Sequence, residues 1–241
     1  MAADDDQLAR ESPQGSLGGA LGGGAVRTVR LTTGAEARLC NEGAPLAAVL
    51  VNGGSAKAVP GTWSATSELL ARELGPRFPG VILVEVRYRV KTWNELQSCF
   101  ADAEAALALA AGPALLVGFS MGGAVSIGVA AHPAVEAVLG LAPWIPERLG
   151  VEGLVGKRLD VVHGSWDRYL PGVPGVSPTS SRRGFERARA LGVPGTYTLI
   201  ERGVHGAALR RPDGRLFRLP RWRAWVDHAG AAIERFATAA A

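Results

Sequence analysis

The sequence predicts an α/β protein in which helices cover both faces of a mostly parallel β-sheet. Short apolar runs alternate along the chain with longer segments of helical periodicity. Strands that are apolar on both sides must be covered on both sides, and helices between successive strands provide that cover. The 241 residues, 47% of them hydrophobic, are enough for one domain with a large core.

The first 24 residues differ in composition from the rest of the chain. They begin with an acidic stretch and end in a glycine-rich run, so residues 1–24 are expected to form a flexible tail before a domain over 25–241. The acidic start lacks the apolar stretch of a secretory signal, and two cysteines are too few for a disulfide framework. These features favour a cytoplasmic protein.

Strands are predicted where apolar runs end at turn residues. An opening antiparallel pair is expected over 26–33 and 35–40, with its turn at Gly34. The later strands are predicted over 46–51, 80–88, 114–119, 135–143, 158–164 and 196–201.

Helices are predicted between these strands from the spacing of apolar residues and from capping signals. They are expected over 63–74, 92–112, about 122–131, about 183–192 and about 219–237. For the second of these helices, Thr92 and Glu95 match a capping box, and Gly112 before Pro113 supplies a stop.

The formal net charge of +4 raises the question of a polyanionic partner. Lysine occurs only at Lys57, Lys91 and Lys157, and the arginines are scattered through the chain. The densest stretch, 210–223, is interrupted by prolines and apolar residues, unlike a nucleic-acid surface. We therefore expect no nucleic-acid partner, and the lack of any apolar run of ~20 residues predicts no membrane span.

The segment Gly118-Phe119-Ser120-Met121-Gly122 places a serine between two glycines where an apolar strand passes into a helix. A sharp turn of this kind exposes the serine oxygen, and the glycines let the backbone fold tightly. In a parallel sheet, catalytic groups collect at the carboxyl ends of the strands, which is where Ser120 lies. Ser120 is therefore the predicted nucleophile.

A serine hydroxyl is a weak nucleophile and needs an adjacent base, which in turn needs an orienting carboxylate. Four histidines compete for the role of base. His132 at a helix end and His228 within the last helix are expected to be surface residues, and His163 is expected to be a satisfied, partly buried strand residue. His205 follows the strand over 196–201, on the side of the sheet where Ser120 lies. We therefore predict His205 as the base.

Two aspartates around the strand over 158–164 compete for the role of acid. An extended segment of seven residues spans up to roughly 20 Å, so both cannot serve one site. Asp160 opens the strand at its amino end, on the wrong side of the sheet, whereas Asp167 follows its carboxyl end. Asp167 is the predicted acid, and the alternative is that it only caps a loop or turn.

The oxyanion of an acyl-transfer reaction needs backbone N–H donors. The first is expected from Met121, directly after the nucleophile. The second is expected from the glycine-containing loop that follows the strand over 46–51, with Gly54 as the predicted donor and Ser55 as the alternative. An ordinary glycine turn is the other interpretation of this loop.

The order of oxyanion loop, Ser120, Asp167 and His205, each after a strand, resembles the α/β-hydrolase superfamily over roughly residues 26–237. The segments GFSMGG, VVHGSWD and RGVHG are most similar to its compact branch, which includes dienelactone hydrolases and small carboxylesterases. The resemblance implies an eight-stranded, mostly parallel sheet and a covalent acyl-enzyme route.

The sequence departs from the family pattern at two places. Dienelactone hydrolases proper have cysteine as the nucleophile, where this chain has Ser120, which argues against dienelactone itself as the substrate. Many relatives have His-Gly before the oxyanion donor, where this chain has Asn52 and Gly53. This second departure leaves the choice between Gly54 and Ser55 open.

The sequence thus predicts a serine hydrolase that cleaves a small-molecule ester with a Ser120–Asp167–His205 triad and needs no cofactor and no metal. The alternatives are an acyltransferase with the same fold and a non-catalytic protein that binds a small ligand. Only the stretch 144–157 joins the strands over 135–143 and 158–164, which leaves no room for a large cap domain. The Pro/Gly-rich stretch 168–182 either borders the pocket or is a surface excursion.

Overall fold

The computed structural model describes residues 26–167 and 175–240. The tail expected over residues 1–24 lies outside the described residues. The strands are β1 (Arg27–Arg30), β2 (Glu36–Cys40), β3 (Leu46–Val51), β4 (Val59–Pro60), β5 (Val81–Arg87), β6 (Val90–Lys91), β7 (Ala114–Phe119), β8 (Val135–Leu141), β9 (Arg158–Gly164), β10 (Tyr197–Ile200), β11 (Ala208–Arg210) and β12 (Leu216–Arg218). The helices are α1 (Ala65–Leu74), α2 (Gln97–Leu107), α3 (Met121–Gly128), α4 (Pro178–Ala190) and α5 (Trp222–Ala239).

Eight strands form one sheet in the spatial order β1-β2-β5-β3-β7-β8-β9-β10. β2 pairs antiparallel with β1 and β5, and the other neighbours pair in parallel. The predicted α/β class and the mostly parallel eight-stranded sheet are confirmed. β3 and β9 span the predicted residues, because each is a short apolar run that ends at turn residues.

Two hydrophobic cores lie on opposite faces of this sheet. In β3, Val49 and Val51 belong to the core that includes α2, α3 and α4, whereas Ala48 and Leu50 belong to the core that includes α1 and α5. Burial of a valine or leucine side chain stabilises the folded state by about 1.5–3 kcal/mol. Because both faces of the central strands are held in this way, the carboxyl ends of those strands have fixed positions.

The second predicted helix begins and ends inside its predicted range. α2 begins at Gln97, and Thr92 forms no capping box, because its hydroxyl accepts a hydrogen bond from the Asn94 N–H (3.2 Å). The preceding residues are engaged elsewhere, since β6 pairs with β4. Tertiary pairing therefore overrides the local capping signal at this position, and the helix ends at Leu107, before the predicted Gly112 stop.

Two other helices begin at residues that differ from the prediction. α1 begins at Ala65, because the Ser64 hydroxyl caps it by accepting a hydrogen bond from the Ser67 N–H (3.2 Å). α4 begins at Pro178, about five residues before its predicted start. A proline fits this first turn, where its missing N–H removes no helical hydrogen bond.

The hairpin of β11 and β12 was not predicted from the sequence. Its inner residues, Ala208 and Leu216, contact the core of α1 and α5, while Leu209 and Phe217 face outwards and are about half-exposed. The apolar stretch of the first strand ends at Arg210, and Leu216 and Phe217 of the second strand lie between two arginines, so neither strand shows a long apolar run.

The connection between β8 and β9 contains only a short 3-10 helix, Glu152–Leu154. The predicted lack of a large cap at this point therefore holds for the described residues. No described helix is long and apolar enough to cross a membrane.

Candidate active site

Ser120 occupies a sharp turn between β7 and α3. Its backbone angles are φ 55° and ψ −118°, a region that residues other than glycine adopt at a cost of about 1–3 kcal/mol. The turn is fixed from several sides: the Ser120 N–H donates to the Leu141 carbonyl (2.9 Å), and the Ser120 carbonyl accepts from the N–H groups of Gly123 (2.9 Å) and Trp144 (2.8 Å). These contacts hold the strained conformation that exposes the hydroxyl.

The two glycines of the motif allow three elements to approach one another closely. A side chain at Gly118 would overlap the backbone of Gly122, and a side chain at Gly122 would overlap the Val51 and Asn52 carbonyl oxygens. Glycine at both positions therefore lets α3 start directly against β7 and the end of β3. Close packing therefore requires glycine at both positions, whatever the chemistry of Ser120.

Asp167 and His205 lie together at the carboxyl ends of β9 and β10. The His205 Nδ1–H donates to Asp167 Oδ2 over 2.6 Å. The Asp167 side chain is fully buried, whereas the His205 side chain is 15% exposed. The structure thus pairs the predicted acid with the predicted base and leaves Nε2 of the imidazole for another partner.

The imidazole of His205 lies beside the serine turn. Its ring is tilted against the ring of Phe119, with the ring centres 5.0 Å apart, and Phe119 directly precedes Ser120. Among the described residues, the Ser120 hydroxyl forms no hydrogen bond with His205 or any other group. In enzymes without bound substrate, the hydrogen bond between nucleophile and base is often long and shortens only when substrate binds.

Burial and hydrogen bonding act in opposite directions on Asp167. Burial alone would raise the pKa of this carboxyl group, but hydrogen bonds from His163 and His205 outweigh burial and hold the pKa below its usual value. The Val176 N–H also donates to Asp167 Oδ1 (3.1 Å). The carboxylate is therefore ionised at neutral pH, as the partner of an imidazolium must be.

Asp160 lies at the other end of β9, away from this group. Its carboxylate accepts hydrogen bonds from Arg158 (2.8 Å) and Arg235 (3.0 Å), and from the backbone and side chain of Thr196. This aspartate ties β9 to its neighbours and makes no contact with the acid–base pair.

The other three histidines have the surroundings that the sequence indicated, with one addition. His132 is partly exposed and accepts a hydrogen bond from the Ala134 N–H (3.2 Å), and His228 is partly exposed on α5. His163 is fully buried and satisfied, but its Nε2 also lies 3.1 Å from Asp167 Oδ2. Sequence reasoning missed this contact, although the four-residue spacing of His163 and Asp167 was visible.

The loop after β3 lies against the serine turn. A Cβ atom at Gly53 would lie 3.5 Å from Ser120 Cβ, and one at Gly54 would overlap the Met121 side chain and the Trp93 ring. Within the described part of the chain, neither the Gly54 N–H nor the Met121 N–H donates a hydrogen bond. Both predicted oxyanion donors are thus next to each other and next to Ser120.

Three contacts hold this loop in place. The Asn52 amide donates to the Thr62 carbonyl (2.5 Å), and the Asn52 carbonyl accepts from the Tyr88 hydroxyl (3.1 Å). The Trp93 N–H donates to the Ser55 carbonyl (2.9 Å). The sequence analysis placed Trp93 in a helix and so missed its role beside Gly54.

The described end of the Pro/Gly-rich stretch 168–182 contacts the acid through Val176, while residues 168–174 lie outside the described residues. In the described ranges, no group of three or more His, Cys, Asp or Glu side chains is close enough to hold a metal ion.

The sheet order and the strained serine turn after β7, with Asp167 and His205 after β9 and β10, are those of an α/β-hydrolase fold. Solved structures share this fold. No family model matches the sequence, and a comparison with curated proteins gives no match.

Three of the similar structures illustrate the range of sequence identity and structural similarity to this chain. A dienelactone hydrolase-like promiscuous phosphotriesterase from metagenomic libraries has 18% identity and a TM-score of 0.61 over 88% of this chain and 98% of its own. A thermophilic esterase from Thermogutta terrifontis has 16% identity and a TM-score of 0.60 over 90% and 95%. An α/β serine hydrolase without a lid from Xanthomonas campestris has 16% identity and a TM-score of 0.52 over 76% and 85%. The resemblance to α/β hydrolases, including dienelactone hydrolase-like proteins and small esterases, is confirmed for the fold.

Proposed function

We propose that this chain is a serine hydrolase that cleaves a small carboxylic ester through an acyl-enzyme intermediate. The observation that carries the proposal is the buried Asp167 carboxylate on Nδ1 of His205, beside a serine on a strained strand-to-helix turn. An imidazole held in this way presents Nε2 as a base toward a hydroxyl. The similar structures described as esterases and hydrolases support this class of reaction.

In the acylation step, Ser120 Oγ attacks the carbonyl carbon of the ester while its proton passes to His205 Nε2. Asp167 stabilises the resulting imidazolium without taking the proton. The tetrahedral intermediate then collapses, the bond from carbon to the leaving oxygen breaks, and His205 returns the proton to the alcohol. Ser120 is left carrying the acyl group.

In the deacylation step, water replaces the alcohol. His205 Nε2 removes a proton from the water, the hydroxide attacks the acyl carbon, and the bond to Ser120 Oγ breaks. Ser120 recovers its proton from His205, and the carboxylic acid leaves. The site returns to its starting state with no net change of the enzyme.

Both tetrahedral intermediates carry negative charge on the former carbonyl oxygen. We assign the N–H groups of Gly54 and Met121 as its donors, because they lie next to Ser120 and donate to nothing else among the described residues. Loss of one such donor in another serine hydrolase costs about 10²–10³ in turnover.

The test is treatment with a fluorophosphonate probe, followed by intact-mass measurement and peptide mapping. We expect one label, on Ser120, because only this serine has an activated oxygen in this proposal. Ser120→Ala should abolish both labelling and the hydrolysis of activated esters. Labelling at another serine, or full activity of the alanine variant, would refute the assignment of the nucleophile.

The same experiment separates the other functions. A protein that only binds a small ligand would not be labelled. An acyltransferase would be labelled, but its acyl-enzyme would persist in water and turn over only when an acceptor alcohol or amine is added.

A further inference from the structure

His163 contacts the same oxygen of the Asp167 carboxylate as His205 does. His163 Nε2 lies 3.1 Å from Asp167 Oδ2 and 2.9 Å from the Val176 carbonyl oxygen. A carboxylate and a carbonyl can only accept hydrogen bonds, so Nε2 must carry a proton whether the ring is neutral or charged. The His163 side chain is fully buried.

The other nitrogen of the ring has a partner of its own. His163 Nδ1 lies 2.8 Å from Ser181 Oγ on α4, and Ser181 Oγ lies 2.8 Å from the Tyr197 hydroxyl on β10. The Tyr197 hydroxyl also lies 2.8 Å from the Pro178 carbonyl, to which it donates. Ser181 Oγ also lies 3.1 Å from the Pro178 carbonyl. With the ring neutral and its proton on Nε2, Nδ1 accepts from the Ser181 hydroxyl, and the Pro178 carbonyl accepts from Tyr197. The contacts at both ring nitrogens therefore fix the orientation of His163.

Asp167 consequently has partners on three separate segments. The Val176 N–H donates to Oδ1 and His205 Nδ1–H donates to Oδ2, while His163 Nε2, whose proton is hydrogen-bonded to the Val176 carbonyl, lies 3.1 Å from Oδ2. A carboxylate with one partner can rotate about its bond to Cβ. Partners on three segments oppose that rotation.

We propose that His163 is a positioning residue that fixes the Asp167 carboxylate through its Nε2–H and thereby orients His205. This role goes beyond the Ser120–Asp167–His205 triad and rests on the proposed function. In metal sites, removing the partner behind a ligand lowers activity about 10- to 100-fold, and a loss in this range is expected here.

Three variants test this role by activity. His163→Phe keeps a flat ring but has no donor, so kcat on a short-chain p-nitrophenyl ester and the rate of fluorophosphonate labelling should both fall about 10- to 100-fold, with little change in KM. His163→Gln can place an amide N–H near the position of Nε2 and should restore most of the loss. Asp160→Asn is the matched control, because Asp160 is also buried and hydrogen-bonded on β9 but lies far from the acid.

All variants are compared below their unfolding temperatures. A purely structural role for His163 predicts that His163→Phe and Asp160→Asn lose activity in proportion to their loss of stability. That result, or an equal loss in His163→Phe and His163→Gln, would overturn the proposal.

A second measurement uses the wild-type protein and depends neither on its activity nor on whether a variant folds. In the wild-type protein labelled with ¹⁵N-histidine, the Nε2 atom of the His163 ring should carry a proton. A ring protonated on Nδ1 alone would overturn the proposal, since nothing would then donate to Asp167 from this side. If the wild type takes no fluorophosphonate label while the Nε2 proton is present, the proposed function fails and the contact with Asp167 stands.

Discussion

At the scale of single residues, two aspartates of similar burial have different roles because of where they lie relative to one strand. Asp160 and Asp167 are 5% and 1% exposed, and hydrogen bonds outweigh the effect of burial to lower the pKa of both carboxyl groups. The Asp160 carboxylate accepts hydrogen bonds from arginines that join β9 to its surroundings. The Asp167 carboxylate contacts two histidines instead. Burial and pKa direction alone do not distinguish the residue in the site from the structural one.

We predict that Asp167→Asn lowers turnover by orders of magnitude, while Asp160→Asn leaves it within a few-fold. An amide at position 167 can donate to His205 and so permits the wrong imidazole tautomer, an effect of roughly 10⁴ in a well-studied serine protease. The measurement is kcat on an activated ester, with thermal unfolding recorded for both variants. A larger loss from Asp160→Asn would contradict the placement of the acid.

At the scale of elements, the short β4–β6 pair and the residues after it hold the loop that contains Gly54, the proposed oxyanion donor. β6 pairs with β4, and two residues later Trp93 donates to the Ser55 carbonyl and packs its ring against Gly54. The loop is thus held by a segment that follows β5 in the chain. Its geometry depends on the sheet order as well as on its glycines.

We predict that Gly54→Ala lowers kcat on an activated ester by at least about 10²-fold, comparable to the loss of an oxyanion donor. The added methyl group would overlap the Met121 side chain and the Trp93 ring, so the loop must shift and take its N–H with it. Gly80→Ala is the control, because a Cβ atom there meets nothing within 4 Å. Equal activity of the two variants would show that Gly54 lies outside the oxyanion site.

The limits of sequence reasoning are also seen at this scale. β3 and β9 were predicted at their observed bounds, because continuous apolar runs ending at turn residues are local signals. The predicted start of α2 was wrong, because the Trp93 N–H donates to the Ser55 carbonyl, a contact that no local pattern encodes. The candidate triad residues follow strand ends and so could be found, whereas the contact of His163 with Asp167 requires the fold of the backbone.

β5 carries a buried carboxyl group that makes stability depend on pH. Burial raises the pKa of Glu85 to about 8, an effect that Glu68 adds to and that Arg38 and Arg210 oppose. Among the described residues, Glu85 Oε1 has no hydrogen-bond partner, and Arg38 is 3.8 Å from Oε2. An unfolded chain releases this proton near pH 4.5, so between about pH 4.5 and 8 only the folded state retains it.

We therefore predict that the free energy of unfolding falls as the pH rises from about 4.5 to about 8, and that Glu85→Gln removes much of this fall. A glutamine has nearly the same shape but never ionises. At pH 5 the two proteins should have similar stability, and at pH 8.5 the variant should be more stable by on the order of a few kcal/mol. Urea unfolding at both pH values provides the measurement. Parallel stability profiles would contradict the prediction.

At the scale of the whole molecule, the described connection between β8 and β9 contains no cap over the carboxyl edge of the sheet. A cap normally supplies apolar surface for a long acyl chain, and each CH₂ left in water forfeits about 0.8 kcal/mol of binding. The lack of a cap in this connection, and not the identity of the candidate triad residues, is therefore expected to set the preferred length of the acyl chain.

We predict that kcat/KM on p-nitrophenyl esters is highest for short acyl chains and declines toward palmitate, because the longer chain finds little surface to contact. The series from acetate to palmitate measures this directly. A maximum at C12 or longer, or activation at a lipid–water interface, would mean that a lid exists that the sequence did not reveal.

The strained turn at Ser120 also has a consequence for the time course of folding. Its conformation is held by Leu141 and Trp144, which belong to β8 and the residues after it, so the turn cannot be locked when β7 and α3 first form. Parallel strands join segments that are distant in the chain and pair slowly during folding. Ser120 therefore acquires its turn geometry only after β8 has docked, and Asp167 and His205 arrive with β9 and β10. Under the proposed function, a partly folded chain does not react with the probe, and reactivity during refolding would report the completion of the sheet.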